Sequence, residues 1–344
     1  MPYLTQKRVS VIPICYKDEG NVREMVRRVT EVMKQVTPNY EIVYVNDGSP
    51  DDSLSILREL AEKDQRITVI IHSRNFNSQM ALTSGLRYCT GNAAILMDGD
   101  LQDPPELIPS FVEQWLQGND VVYGVRKSRE EGICTHVCRR LFYALFQKLS
   151  YISIPANAGD FSLLDRKVIT VLNQMPERDR FIRGLRAWVG FRQIGVPYHR
   201  AARFDGKKAT SSWSGYIRYA KSGLLSFSRV PLELLFYAGI LFTGLASFGI
   251  AYYLAMWLFL PPSASPPGLI TLYLLILFFG GVQLLSISIV GEYVGKVFDE
   301  VKQRPLFVVK EIINDYRNSS HIHDVLAQPE IPETHSQNTK KHHV

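Results

Sequence analysis

The chain has 344 residues, of which 46% are hydrophobic and 21% are charged, and its formal net charge at pH 7 is +6. This length and apolar content suffice for one large domain or two smaller ones, and they exclude a chain that is disordered throughout. A positive net charge suits a protein that binds nucleic acid, an anionic membrane or phosphates. The four cysteines are scattered, and no short apolar run follows basic residues at the N-terminus, so we expect reduced thiols and a cytosolic environment.

The chain up to Gly124 alternates short apolar runs with segments whose apolar residues recur at helical spacing. Strands are predicted at Val9 to Ile14, Glu41 to Asn46, Thr68 to His72, Ala93 to Met97 and Asp120 to Tyr123. Helices are predicted at Asn21 to Val36, Asp52 to Lys63, Gln79 to Cys89 and Glu106 to Leu116. This alternation is typical of an α/β domain with a mostly parallel sheet.

Polar residues follow each of the first four predicted strands. These strand ends read CYKDEGN, NDGSPDD, SRNFN and DGDLQD in chain order. Parallel sheets bind ligands beyond the carboxyl ends of their strands, so we expect the four ends to line one crevice.

The fourth strand end, AAILMDGDLQDPPE, places Asp98, Asp100 and Asp103 directly after a buried run. Carboxylates this close repel one another unless a cation lies among them. Mg²⁺ or Mn²⁺ fits, because such ions take oxygen ligands from one or two carboxylates together with substrate phosphates, and they stabilise a departing diphosphate. The alternative is an acidic loop tip, in which Pro104 and Pro105 end the strand before a helix.

Two uncharged segments, Leu234 to Leu260 and Leu269 to Gly291, each exceed the roughly 20 residues that cross a bilayer. Two buried core helices are the alternative. The turn between them, PPSASPPG, has no Lys or Arg, whereas basic residues lie on the outer sides at Arg218, Lys221, Arg229, Lys296, Lys302 and Arg304. The positive-inside rule therefore predicts a multi-pass protein of the inner (plasma) membrane, with the α/β domain and both termini cytoplasmic. This placement of basic residues disfavours nucleic acid as a partner.

The remaining segments complete the predicted domain organisation. The α/β domain is expected at 1–210 and the membrane hairpin at 231–292. Residues 211–230 mix aromatic and basic residues, which is typical of an interfacial helix, although an ordinary soluble amphipathic helix is the alternative. A cytoplasmic juxtamembrane segment is expected at 293–315, and the polar tail at 316–344 is expected to be disordered.

The joint pattern resembles the polyprenyl-phosphate glycosyltransferases, which are inverting enzymes of glycosyltransferase family 2 with the GT-A fold. The resemblance rests on VSVIPICYKDEGN, EIVYVNDGSPDDS, SRNFNSQMALTSGL, MDGDLQDPPE, NAGDFSLLDRKV and the C-terminal VGEYVGKVFDEVKQRPLFVV. It covers roughly Val9 to Val309. It implies transfer of a glycosyl group from a nucleotide sugar to the phosphate of a membrane polyprenol, and it suggests a homo-oligomer.

The resemblance also implies roles for individual residues. The implied nucleotide contacts are Pro13, Tyr16, Glu19, Asp47 and Asp98. Asp100 is the implied direct metal ligand, with Asp98 beside it and with Gln102 and Asp103 near the sugar or the metal. Two of these assignments have simpler alternatives, since Asp47 suits a turn and Glu19 suits the positive end of a helix. Where the family usually has SRNFG, this chain has Asn77, a residue that tolerates a left-handed backbone.

The acceptor end of the site follows partly from phosphate chemistry. A phosphate monoester is mostly dianionic at pH 7, so it needs no general base to act as a nucleophile. Asp160, in NAGDFSLLDRK, matches the family's acceptor-side catalytic position and is a candidate for orienting acceptor or metal or for acting as a base; capping the following turn is its alternative. Cations beside the acceptor must offset the repulsion from the aspartates, and the candidates are Arg200, Arg203, Lys207 and Lys208.

Two further readings remain beside the main one. A processive polysaccharide synthase shares the fold, but such chains usually have more membrane helices and a Gln-x-x-Arg-Trp signature, to which only RGLRAW comes near. The alternative that is not an enzyme is a membrane-anchored pseudoenzyme that binds nucleotide sugars. The intact set of Asp98, Asp100 and Asp103 disfavours it. UDP-glucose is the expected donor, because the resemblance to bactoprenol glucosyltransferases is strongest, and undecaprenyl phosphate is the expected acceptor.

Overall fold

A computed structural model describes residues 3–127, 158–206, 228, 230–259 and 269–315. Four predicted features lie outside these ranges: most of the interfacial segment at 211–230, the Lys207 and Lys208 pair, the hairpin turn and the tail at 316–344.

The first part of the chain alternates strands and helices. The strands are β1 (Val9–Cys15), β2 (Tyr40–Asn46), β3 (Ile67–His72), β4 (Ala93–Asp98) and β5 (Val121–Arg126). The helices are α1 (Glu19–Val36), α2 (Ser53–Lys63), α3 (Ser78–Tyr88) and α4 (Ile108–Leu116), the last preceded by a 3-10 turn at Pro105–Leu107. Each of the nine predicted elements is confirmed, with ends that differ by at most three residues.

Beyond β5 the chain adds β6 (Ala158–Asp165), α5 (Arg166–Gln174), α6 (Ile182–Trp188) and β7 (Gln193–Tyr198). No sequence pattern above predicts these four elements. Helix α6 has only 7 residues, and β7 contains a glycine and a proline, so neither presents a long periodic signal.

The eight strands form one sheet in the order β7-β5-β6-β4-β1-β2-β3-β8, where β8 is Val309–Ile313. Parallel pairs join β1 to β2 and β4, β2 to β3, and β5 to β7. Antiparallel pairs join β6 to β4 and β5, and β8 to β3. Four of these seven pairings are parallel, which confirms the mostly parallel α/β class.

Helices cover both faces of the sheet, which explains why β1 and β2 are buried along their whole length. On one face Val11 packs with Met25 of α1 and Phe111 of α4. On the other face Ile12 packs with Leu82 of α3, in the same cluster as residues of α5 and α6. Each fully buried side chain of this size contributes about 1.5–3 kcal/mol relative to exposure, so the two clusters hold the strand ends rigidly.

Two long apolar helices follow, α7 (Val230–Phe259) and α8 (Leu269–Val301). The windows Leu232–Gly249 and Phe278–Val301 are long and apolar enough to cross a membrane, and no part of either is buried. The reading as two core helices therefore finds no support in the described residues.

The C-terminal end of α8 is bound to the segment between α5 and α6. Lys296 Nζ lies 2.8 Å from Asp179 Oδ2, and Glu300 Oε1 accepts a hydrogen bond of 2.8 Å from the Arg178 N–H. The chain beyond α8 then returns to the sheet, where β8 pairs with β3. The segment at 293–315, expected only as a juxtamembrane stretch, thus supplies the edge strand next to β3.

Candidate active site

The polar strand ends meet at one edge of the sheet. Ile14 of β1 pairs with Asp98 of β4, and Cys15 pairs with Asn46 of β2. Asp47 follows β2 directly and its N–H donates to the Cys15 carbonyl at 3.0 Å. The order β4-β1-β2 therefore brings the Asp98 loop and the Asp47 loop to the two sides of the β1 end.

The loop after β4 is held tightly against β1. A Cβ on Gly99 would lie 2.2 Å from the Ile14 carbonyl oxygen, so only glycine fits there. The buried Leu101 has a φ of 57°, a conformation that is rare for a non-glycine residue. The Gln102 N–H donates to Asp100 Oδ1 at 3.1 Å, and this turn fixes the direction of the Asp100 carboxylate.

The aspartates of this loop are electrostatically crowded. Burial, together with the charges of Asp103, Asp160 and Asp100, raises the pKa of Asp98 to about 7, although Arg200 acts in the opposite direction. Burial likewise raises the pKa of Asp100, although the Gln102 N–H and Arg200 favour the charged form. A group of carboxylates that resists ionisation in this way is a place where a cation is stabilised.

Unlike Asp98 and Asp100, Asp103 is buried next to a tyrosine and two arginines. The Tyr198 hydroxyl donates to Asp103 Oδ1, while Arg126 Nη2 lies 3.8 Å and Arg200 Nε 3.6 Å from the same oxygen. Its other oxygen, Oδ2, is buried with no hydrogen-bond partner among the described residues. Asp103 therefore ties β7 to the aspartate loop and keeps one free acceptor oxygen.

Arg200 and Arg203, which were expected to bind the acceptor phosphate, lie next to carboxylates. Arg203 forms hydrogen bonds of 2.7 Å to Asp18 and 3.0 Å to Asp205, and its Nη1 lies 3.9 Å from Asp100 Oδ2. Arg200 Nη2 lies 3.8 Å from the same Asp100 oxygen. The loop after β7 thus lies over the aspartate loop, with its cations beside the aspartates.

Asp160 lies inside β6 in a bidentate ion pair. Arg183 Nε donates to Asp160 Oδ1 and Arg183 Nη2 to Oδ2, each at 2.9 Å, and Gln79 Nε2 donates to Oδ2 at 3.2 Å. Burial raises the pKa of Asp160, but the charge and hydrogen bonds of Arg183 and the charge of Arg186 outweigh it, and the net pKa is lowered. Asp160 is therefore an ionised carboxylate at neutral pH. The capping role weighed for it belongs instead to Asp165, which accepts from the Lys167 N–H at the start of α5.

Asp47 is buried, and one of its carboxylate oxygens contacts two nitrogen atoms. Its Oδ1 is 2.8 Å from His72 Nδ1 and accepts a 2.9 Å hydrogen bond from the Phe76 N–H. The turn that Asp47 might have shaped is held by Asn46 instead, whose Oδ1 accepts from the Ser49 N–H at 2.9 Å.

The other implied nucleotide contacts surround the β1 end. Pro13 is buried within β1, and Tyr16 follows β1 with 40% of its surface exposed. Glu19 is the first residue of α1, and its Oε2 accepts a 3.2 Å hydrogen bond from the Asp52 N–H at the start of α2. Asn77 has a φ of 75°, and its side chain caps α3 by accepting from the Gln79 N–H.

The residues present fit a hard divalent cation together with phosphate oxygens. Among the described residues, no group of three His, Cys, Asp or Glu side chains converges to hold a metal alone. Asp98 and Asp100 offer carboxylate oxygens with raised pKa values. Mg²⁺ and Mn²⁺ sites of the nucleotide type use one or two carboxylates and take the remaining ligands from the diphosphate.

Three residues that contact the predicted aspartates were assigned no site role from the sequence. His72, Arg183 and Tyr198 contact Asp47, Asp160 and Asp103 respectively. His72 ends a predicted strand on the crevice edge and Arg183 lies in RGLRAW, so these two carry a partial signal, whereas Tyr198 carries none.

The profile of glycosyl transferase family 2 matches residues 10–172. An uncharacterized glycosyltransferase of Synechocystis is 41% identical over 303 residues, 88% of this chain and 94% of that protein. The bactoprenol glucosyl transferase of Shigella phage SfII is 36% identical over 307 residues, 88% of this chain and 98% of that protein. The prophage bactoprenol glucosyl transferase homolog of Escherichia coli K12 is 34% identical over 89% of this chain and 99% of that protein.

Solved structures give weaker similarities in overall shape. A mannosyltransferase of Pyrobaculum calidifontis in complex with GDP-Man and Mn²⁺ superposes with a TM-score of 0.45 at 15% identity, over 89% of this chain and 90% of that one. Glucosyl-3-phosphoglycerate synthase of Mycobacterium tuberculosis, with Mn²⁺, UDP-glucose and phosphoglyceric acid, gives 0.44 at 18% identity, over 64% and 79%.

Proposed function

Because the chain belongs to glycosyltransferase family 2, among its polyprenyl-phosphate glycosyltransferases with the GT-A fold, we propose that it transfers glucose from UDP-glucose to undecaprenyl phosphate. One observation carries this proposal. The similarity to a bactoprenol glucosyl transferase spans 307 residues, which is more than the α/β part contains, so it extends toward the apolar helices. Transfer of a glycosyl group to a polyprenyl-linked acceptor is the activity of that family.

On the donor side, the Asp47 loop and the Asp98 loop, which lie on either side of the β1 end, bind different parts of the nucleotide. Asp47 receives the base edge, and Pro13, Tyr16 and Glu19 line the base and ribose. Asp98 faces the ribose and diphosphate, and Asp100 holds the divalent cation, Mg²⁺ or Mn²⁺, with Gln102 and Asp103 near the sugar. The cation, when bound, neutralises charge on the departing diphosphate. The crowded carboxylates and the rigid loop around Gly99 support this division.

On the acceptor side, the nucleophile is a phosphate oxygen that is already ionised. Asp160 is paired with Arg183 and has a lowered pKa, so its part is to hold the arginine and orient the acceptor. Arg200, Arg203, Lys207 and Lys208 supply positive charge for the incoming lipid phosphate. Arg200 and Arg203 lie 3.8 and 3.9 Å from Asp100 Oδ2, so with a divalent cation held by Asp100 their positive charge would be available to the lipid phosphate.

A donor panel tests this proposal. The purified full chain is incubated with undecaprenyl phosphate, Mg²⁺ or Mn²⁺, and in turn UDP-glucose, UDP-galactose, UDP-N-acetylglucosamine and GDP-mannose, and the lipid is analysed by mass. We expect turnover with UDP-glucose above all others. A polymeric product would favour a processive synthase, and binding of donor without any transfer would favour a pseudoenzyme.

The same proposal places the active site on the cytoplasmic face of the inner membrane, with two spans and both termini inside. A cysteine at Ser265, in a background without the native cysteines, should react with an impermeant thiol reagent in intact cells, since basic residues flank only the opposite ends of the hairpin. The control is a cysteine at the exposed Gln6, which should react only after lysis. The reverse pattern of labelling would overturn this orientation.

The pH dependence follows from the ion pair of Asp160. Its pKa is below the ordinary value near 4, so the carboxylate stays charged from about pH 5 upward and adds no titration to the neutral range. We expect kcat to fall below about pH 6, as the acceptor phosphate takes up a proton. Asp160→Asn should lower the rate at every pH and leave the shape of the profile unchanged. Loss of the acidic limb of the profile in that variant would identify Asp160 as a base instead.

A further inference from the structure

His72, the last residue of β3, is a buried side chain that touches the site through Asp47. Its ring is fully enclosed, and Nδ1 lies 2.8 Å from Asp47 Oδ1. A carboxylate oxygen accepts hydrogen bonds, so in this pair the imidazole Nδ1–H is the donor. Nε2 is buried and has no hydrogen-bond partner among the described residues.

The two donors to Asp47 leave one oxygen for a ligand. His72 Nδ1 and the Phe76 N–H both bind Oδ1. The carboxylate plane is thereby fixed, and Oδ2 keeps its lone pairs. A carboxylate held in this way is preorganised to accept one N–H from a planar ring, such as the imide N–H of uracil.

The orientation of His72 depends in turn on the segment after the second apolar helix. The ring stacks on Phe307, with centroids 5.2 Å apart and planes 13° from parallel, and meets Phe76 edge-on at 5.7 Å. The backbone is joined at the same place, because the Ser73 N–H donates to the Val308 carbonyl at 2.9 Å and His72 pairs with Val309. Phe307 itself is 9% exposed and belongs to the core.

We propose that His72 is a positioning residue that aims Asp47 at the nucleobase, and that Phe307 holds His72 in place from the segment following the membrane helices. This inference rests on the proposed function, in which Asp47 reads the base. It makes the recognition of the nucleobase depend on a contact between β3 and residues 235 positions further along the chain. Donor recognition and the anchoring of the chain after α8 are thus parts of one packed unit.

The test compares UDP with its N3-methyl analogue, which lacks the imide N–H. The full chain in detergent is titrated with each ligand by calorimetry in the presence of Mn²⁺. The wild type should prefer UDP by roughly tenfold or more, the value of a hydrogen bond to a charged acceptor. His72→Leu should lose most of that preference, with the affinity for N3-methyl-UDP changing less than about twofold.

Two further variants separate positioning from packing. Asn carries an amide donor near the place of Nδ1, so His72→Asn should keep part of the preference. Phe307→Leu should reduce the preference for UDP over N3-methyl-UDP by about two- to tenfold, in line with the value of an aromatic pair. Val308→Ala, at a half-exposed side chain in the same segment, is the matched control and should leave the preference for UDP unchanged.

Three results would contradict the positioning role of His72 or the proposed activity. A His72→Leu protein that folds and still prefers UDP as strongly as the wild type overturns the proposal. So does equal loss of affinity for both ligands, which describes a purely structural residue. A wild type that transfers glucose yet shows no preference also overturns it, while leaving the proposed activity intact; a wild type without transfer counts against the activity itself.

Discussion

Asp100→Ala is expected to reduce glycosyl transfer by roughly 10³-fold or more, since it removes the carboxylate that we propose as the ligand of the cation beside the leaving diphosphate. The fold should survive, because the substitution relieves repulsion within a group whose neighbour Asp98 already has a pKa near 7. Transfer is measured with radiolabelled donor and extracted lipid, UDP affinity by calorimetry with and without Mn²⁺, and folding by circular dichroism.

The matched control is Asp52→Ala. Asp52 is an exposed aspartate at the start of α2, and its side chain makes no capping hydrogen bond, so its removal should change activity less than about twofold. Full transfer by Asp100→Ala, or by the wild type in excess EDTA, would contradict the metal assignment.

Arg183→Met is expected to impair both stability and activity, because it leaves the Asp160 carboxylate buried without its bidentate partner. Removing one member of a buried ion pair costs about 3 kcal/mol or more. For a domain of this size that corresponds to a drop of roughly 6–12 °C in the apparent midpoint of thermal unfolding. Transfer should fall by about 10²-fold, since the acceptor side loses an oriented carboxylate.

A double variant distinguishes lost charge balance from lost packing. Asp160→Asn combined with Arg183→Met removes both charges of this pair, and it should recover at least half of the lost midpoint without recovering transfer. Arg66→Met removes an arginine with equally good bidentate geometry toward Asp64 but on an exposed surface, and it should cost less than about 1 kcal/mol. Equal losses from Arg66→Met and Arg183→Met would refute the argument from burial.

The sequence predicts the first half of the fold well because each signal there is local. Strands β1 to β4 are mostly apolar runs, and α1 to α4 carry apolar residues at helical spacing. The DGD turn also follows directly from the sequence, because its three residues come straight after the apolar run of β4. Polar residues at the ends of parallel strands must meet, so the convergence of the Asp47 and Asp98 loops was predictable.

The partners of the site residues were not predictable, because they depend on tertiary packing. Arg203 and Asp18 are 185 positions apart, and their contact depends on where the loop after β7 crosses the sheet edge. Sequence position beside the membrane segment suggested only that Arg203 meets a lipid phosphate, whereas its contacts in the structure are carboxylates. That role stays a prediction.

The return of the chain to the sheet was also beyond local patterns. Strand β8 has only 5 residues, and its sequence, VKEII, is too short to predict an edge strand. What stabilises it lies elsewhere in the chain, in the pairing with β3 and the burial of Phe307 against His72.

The most direct test of the central claim is the mass of the lipid made by the full chain in nanodiscs that contain undecaprenyl phosphate, given UDP-glucose and Mn²⁺. The account predicts one new lipid, equal in mass to undecaprenyl phosphate plus a single hexose residue, together with stoichiometric UDP and no such product from Asp100→Ala. An unchanged lipid in the presence of bound UDP-glucose, or a hexose polymer in place of the single addition, would contradict it.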